Sequence, residues 1–129
     1  MASALYPFGK QGLLSGAFNL TTDTINCSLV DTGIYTYSAA HQWYSSITGV
    51  QGAPMPLTAP TVALGVFDAA DVMFTAVTGL IISAVVLYKA TGTAGTSALL
   101  AYIDGISVTP SGGDITIVWD AGASKIFAL

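Results

Sequence analysis

Apolar and polar residues alternate in Thr24-Ile25-Asn26-Cys27-Ser28-Leu29-Val30, which places Ile25, Cys27 and Leu29 on one face of a strand. Asp31-Thr32-Gly33 then supplies turn chemistry. From Thr61 onward the pattern is again that of strands. Candidates are Thr61 to Val66, Val72 to Ala76, Leu80 to Tyr88, Ser97 to Asp104, Asp114 to Trp119 and Lys125 to Ala128. Turn groups separate them: Asp68-Ala69-Ala70-Asp71, Thr91-Gly92-Thr93-Ala94-Gly95, Pro110-Ser111-Gly112-Gly113 and Asp120-Ala121-Gly122. The run Leu80-Ile81-Ile82-Ser83-Ala84-Val85-Val86-Leu87 does not alternate, which predicts a strand covered on both faces. In the Asp114 strand, Ile115, Val118 and Trp119 are expected inside and Thr116 outside, with Ile117 breaking the alternation.

The other segments read differently. Ala4 to Gly16 carries a loose helical stripe of Leu5, Phe8 and Leu13, with Pro7 in the first turn, where proline is tolerated. Gly9 and Gly12 weaken that helix by about 1 kcal/mol each relative to alanine, so it needs tertiary support. Tyr35 to Ile47 is an aromatic-rich connection, within which Ala39 to Ser46 predicts a short helix capped by Ser38. Gly49 to Pro60, with Pro54, Pro56, Pro60, Gly49 and Gly52, reads as an irregular loop. About seven short strands between Gly and Pro turns define an all-β fold. We expect one β-sandwich or jelly-roll-like domain over residues 1–129, with a short N-terminal helical segment.

Composition sharpens this picture. The 129 residues are 53% apolar and 8% charged: three lysines, seven aspartates, no arginine and no glutamate, for a net charge of −4. That is the reverse of a disordered chain. Three scattered lysines do not neutralise a run of phosphates, so nucleic acid is not an expected partner. The uncharged stretch Val72 to Tyr88 is at the short limit for a spanning helix and rich in β-branched residues, so no membrane span is expected either. The start of the chain has no leading basic residues and is interrupted by Pro7 and Gly9, unlike a secretory signal. So little charge on a small protein favours a surface covered by copies of itself or by a partner, which predicts a dimer or trimer.

Candidate chemistry is sparse. His41 is the single histidine and hence the single conventional base, and no Gly-x-Ser-x-Gly elbow accompanies it. Asp68 with Asp71, and Asp114 with Asp120, are carboxylate pairs, but turn residues explain them and their spacing fits no EF-hand. Gly92-x-x-Gly95 and Gly112-Gly113 match no phosphate-binding fingerprint. Cys27 excludes an intramolecular disulfide and a multi-cysteine zinc site, and on its apolar face it is expected buried and reduced. No catalytic residue, metal or cofactor is therefore expected. Trp43, Tyr44, Tyr35 and Tyr37 form an aromatic patch suited to core packing, an interface anchor or a sugar platform.

Several segments, in order along nearly the whole chain, resemble a family of small virion proteins from tailed bacteriophages. They are Ala4-Leu5-Tyr6 with Lys10; Asp23-Thr24-Ile25 leading to Leu29-Val30-Asp31-Thr32-Gly33; and Phe67-Asp68-Ala69-Ala70-Asp71-Val72. Leu87-Tyr88-Lys89-Ala90-Thr91-Gly92-Thr93, Leu100-Ala101-Tyr102-Ile103-Asp104 and Gly112-Gly113-Asp114-Ile115-Thr116-Ile117-Val118-Trp119-Asp120, running to Lys125-Ile126-Phe127, complete the set. The family resembled is that of capsid decoration, or cement, proteins. The resemblance implies a structural protein, not an enzyme. It implies a protein made in the host cytoplasm that binds the outer surface of the major capsid protein lattice and stabilises the head. Alternatives are a tail or baseplate component, or a carbohydrate-binding module using Trp43 and Tyr44. Candidate contact residues are Leu5, Tyr6, Phe8, Tyr35, Tyr37, Trp43 and Tyr44, which hold apolar groups outside the strand pattern.

Overall fold

The protein is described here by a computed structural model covering residues 4–119 and 126–128. It is an all-β fold with one short N-terminal helix. The elements are β1 (Ala4–Leu5), α1 (Pro7–Ser15), β2 (Ile25–Val30), β3 (Val50–Pro56), β4 (Thr61–Ala63), β5 (Val66–Asp68), β6 (Val72–Phe74), β7 (Ile82–Lys89), β8 (Leu99–Val108), β9 (Ile115–Ile117) and β10 (Phe127–Ala128). A five-stranded antiparallel sheet has the order β1-β8-β7-β2-β3. A three-stranded sheet, β10-β5-β4, and a two-stranded one, β6-β9, complete a sandwich-like arrangement.

The non-alternating run is indeed the middle of the large sheet. In β7, Ala84, Val85, Val86 and Leu87 are all fully buried. Val85 and Leu87 join Ile25, Cys27 and Leu29 on the face that meets Phe67, Val72, Phe74 and Ile115 of the small sheets. Ala84, Val86 and Tyr88 point the other way, into a second cluster with Val30, Tyr6, Tyr35 and Tyr102. Leu80 and Ile81 fall before the strand and are exposed.

Four expectations are corrected by pairing that periodicity does not show. The helix begins at Pro7, not at Ala4, because Tyr6 is extended (φ −64°, ψ 137°), as a residue before proline prefers. Ala4 and Leu5 pair instead with Tyr102 and Ala101 of β8. The two glycines of α1 permit this docking: a methyl at Gly9 would lie 2.8 Å from the Leu100 carbonyl oxygen, and one at Gly12 would strike the Phe18 ring. No helix forms over residues 39–46. Ser38 does take the Ala40 N–H (3.2 Å), but the chain then extends. Trp43 bridges Ala98, Leu99 N–H donates to the Gln42 carbonyl, and only a single 3₁₀ turn, Tyr44–Ser46, remains. Tertiary strand pairing outweighs weak local propensity here.

The expected loop over residues 49–60 contains β3, which pairs with β2 from Val50 opposite Val30 to Pro56 opposite Asn26. A register shift between Cys27 and Leu29, with Gly52 at φ 71°, accommodates Pro54 and Pro56. The expected strand Thr61 to Val66 is a hairpin, in which Leu64 and Gly65 turn the chain between β4 and β5. From Ile115 to Trp119, through β9 and the two residues after it, the alternation is strict after all: Ile115, Ile117 and Trp119 are buried, while Thr116 and Val118 are exposed. The Asp120-Ala121-Gly122 turn and Lys125 lie outside the described residues.

Candidate interaction surface

The seven candidate contact residues split into two groups. Leu5 packs partly buried against the main core, and Phe8 and Trp43 stand 38% and 37% exposed. Tyr6 and Tyr35, by contrast, are closed off from solvent at 0% and 2%. Tyr37 and Tyr44 are half-buried at the edge of the same cluster. The aromatic connection is thus mainly a cover for one face of the large sheet, the plain packing reading of these side chains.

The cover is held by a chain of hydroxyls. Tyr6 Oη and Tyr35 Oη are 2.6 Å apart, and Tyr35 Oη is 2.8 Å from His41 Nδ1. Tyr37 lies against Tyr6 and Tyr102, with ring centroids 4.9 and 5.3 Å away. At the other end Tyr44 stacks on Tyr88 at 3.9 Å and 14°, and its hydroxyl meets Ser28 Oγ at 2.6 Å. One ring face of Tyr44 is therefore occupied by Tyr88. Burial raises the phenol pKa of Tyr6, Tyr35, Tyr44 and Tyr102. Tyr44 is pushed up to about 12, mainly by desolvation, which outweighs the lowering effect of Ser28. Tyr6 lies well above the ordinary phenol range, through desolvation first and its bond to Tyr35 second. Tyr35 and Tyr102 are also raised, desolvation being the largest cause in each.

Four aspartates, Asp23, Asp31, Asp71 and Asp114, are engaged in holding loops. Asp31 Oδ1 accepts the Gly33 N–H at 2.8 Å, closing its turn. Asp71 Oδ1 accepts the Trp119 N–H at 3.1 Å, and Asp114 Oδ1 accepts the Ala76 N–H at 3.1 Å. Trp119 Nε1 donates to the Ala70 carbonyl at 3.1 Å, tying the end of β9 to the loop between β5 and β6. Asp23 accepts the Asn19 N–H and pairs with Lys89 at 3.4 Å. Asp120 lies outside the described residues. Among the described residues no group of three or more His, Cys or Asp side chains is placed to hold a metal ion. Cys27 is a buried free thiol whose pKa is raised by desolvation. No helix among the described residues is long and apolar enough to cross a membrane.

The surface that the sequence reading missed lies on the opposite side from the tyrosines. A largely apolar pocket of about 480 Å³ opens between the end of α1, the segment after it and the β4–β5 hairpin. Leu13, Phe18, Leu20, Val62, Val66 and Phe67 are among its walls. At the hairpin tip Leu64 is fully exposed (103%) with φ +51°, followed by Gly65 at φ +79°. Both central residues of this two-residue turn are left-handed, which normally selects Asn, Asp or Gly at the first position. A leucine there costs roughly 1–2 kcal/mol of backbone energy and leaves its side chain in water. Leu14, 86% exposed, stands on α1 next to the wall residue Leu13. The available signal was the Leu-Gly pair inside an otherwise continuous β run, which marks a turn with an apolar tip.

No family model and no curated protein sequence matches the chain.

Proposed function

We propose that this protein is a structural subunit of a tailed-bacteriophage virion, decorating the outer surface of the capsid and stabilising the major capsid protein lattice. The observation that carries the reading is the division of labour among its side chains. Histidine, tyrosine and aspartate groups that would serve a reaction hold turns and cover the sheet. Large apolar side chains, Phe8, Trp43, Leu14 and Leu64, stand instead at the surface. The ordered resemblance along the chain supplies the kind of partner. A protein that binds only the assembled lattice stabilises it by mass action, with no chemistry of its own. Such contacts typically bury about 1,000 Å² or more, or combine several smaller ones.

The test is particle reconstruction combined with deletion of the protein. Density on the outside of the head, touching more than one major-capsid subunit, together with heads that lose resistance to heat and chelators on deletion, is the expected result. Heads of unchanged resistance with density confined to the tail would replace this reading with that of a tail component.

A further inference from the structure

We infer that the β4–β5 hairpin and the pocket beside it form a contact between two copies of this chain, each inserting Leu64 into the other's pocket. This inference stands independently of the virion reading. Three observations lead to it.

The first is the hairpin tip itself. Leu64 combines a left-handed backbone with complete exposure, two unfavourable features that an asparagine at the same position would remove. Strain of this kind persists where a contact uses it. The second is the hole. The pocket, about 480 Å³ and largely apolar, lies within the range of about 300–1,000 Å³ that accepts small ligands, so a leucine side chain enters without crowding. The third is charge. The pocket walls come from residues 13–21 and 62–67. No Asp, Glu, Lys or Arg occurs in residues 11–22 or 32–67. Two copies each carrying a net charge of −4 therefore meet no charged side chain from the pocket walls across this face.

The adjacency of knob and hole selects a second copy as occupant. Val62 and Gly65, on either side of Leu64 in the chain, line the pocket. A two-fold axis beside the tip therefore lays each Leu64 over the partner's pocket, the self-complementary geometry of an isologous dimer. Two leucines and their sockets bury much less than the roughly 1,600 Å² of a standard interface, so the contact is weak in dilute solution. It strengthens wherever copies are held close together, because the second contact is then effectively intramolecular.

Sedimentation equilibrium from micromolar to millimolar protein tests this. The wild type is expected to gain mass with concentration, and Leu64→Asn to weaken association by about ten-fold or more, a loss of roughly 1.4 kcal/mol. Dilute Leu64→Asn should also melt at a higher temperature than wild type, since asparagine tolerates the left-handed turn; this shows that lost association is not lost folding. A second arm mixes Leu64→Cys with Thr21→Cys, which lies on the pocket wall. Oxidation should give the mixed cross-link in excess over either variant alone. A wild type that stays monomeric at millimolar concentration, a Leu64→Asn variant that associates like wild type, or a missing mixed cross-link each overturns the inference.

Discussion

Strand β7 is covered on its two sides by different materials. Val85 and Leu87 face aliphatic and phenylalanine side chains delivered by the small sheets. Ala84, Val86 and Tyr88 face a layer of tyrosines supplied by β1's end, β8 and the connection after β2. The first side is held by area and close packing. The second adds hydroxyls that must find partners once buried, and they find each other, His41 and Ser28. A sheet can thus be closed on one side by further sheet and on the other by a loop, provided the loop carries rings wide enough to cover it and hydroxyls to fix their positions.

The largest effect is expected from Leu87→Ala, which empties space on the aliphatic side where no loop can move in; denaturant unfolding should show a loss of about 2–5 kcal/mol. Tyr35→Phe keeps the ring but removes the hydroxyl that joins Tyr6 to His41. Its cost should be about 1–3 kcal/mol, the range for leaving buried partners unmatched, and Tyr6→Phe combined with it should add less than its single effect. An equal loss from Leu87→Ala and Tyr35→Phe would mean that the two sides are not held differently.

Alkaline pH attacks the tyrosine side through several phenols and the aliphatic side through Cys27 alone among the described residues. The folded phenols of Tyr6, Tyr35, Tyr44 and Tyr102 titrate above the unfolded value near 10.0, so their contribution is whole below that pH and drains as pH rises, through about 12 for Tyr44. Phenolate absorbance should therefore lag behind that of free tyrosine and then rise together with unfolding. Cys27 reports the aliphatic side with the smallest perturbation. Its thiol, fully buried with its pKa raised by desolvation, should react with a thiol reagent only at the rate of opening. Rapid labelling of the native protein would contradict that.

The aliphatic side was legible in the sequence, because burial on a strand writes itself as period two, and burial on both faces as an unbroken apolar run. Ile25, Cys27 and Leu29 share a face as their spacing says, and β7 is two-sided as its lack of alternation says. The tyrosine side was not legible in the same way. Nothing local distinguishes Tyr35, which covers the sheet, from Trp43, which stands half in solvent; the difference is made by β1 and β8, remote in sequence. β3 was hidden for a related reason. Its prolines and glycines read as a loop, and only the long-range ladder to β2 holds them extended. Leu64 was hidden because an apolar residue in an apolar run looks like core until the turn beneath it is known.

The irregular construction of β3 has a consequence for crowding. The outer edge of a sheet is an open template, and a chain that is 53% apolar with few charges to keep its copies apart would ordinarily be at risk of stacking strand upon strand into fibres. On this edge the donors needed for such growth are missing at Pro54 and Pro56, and the bulge and Gly52 bend the remaining ones out of line. Many copies can then be concentrated on one surface without the large sheet propagating from neighbour to neighbour through β3.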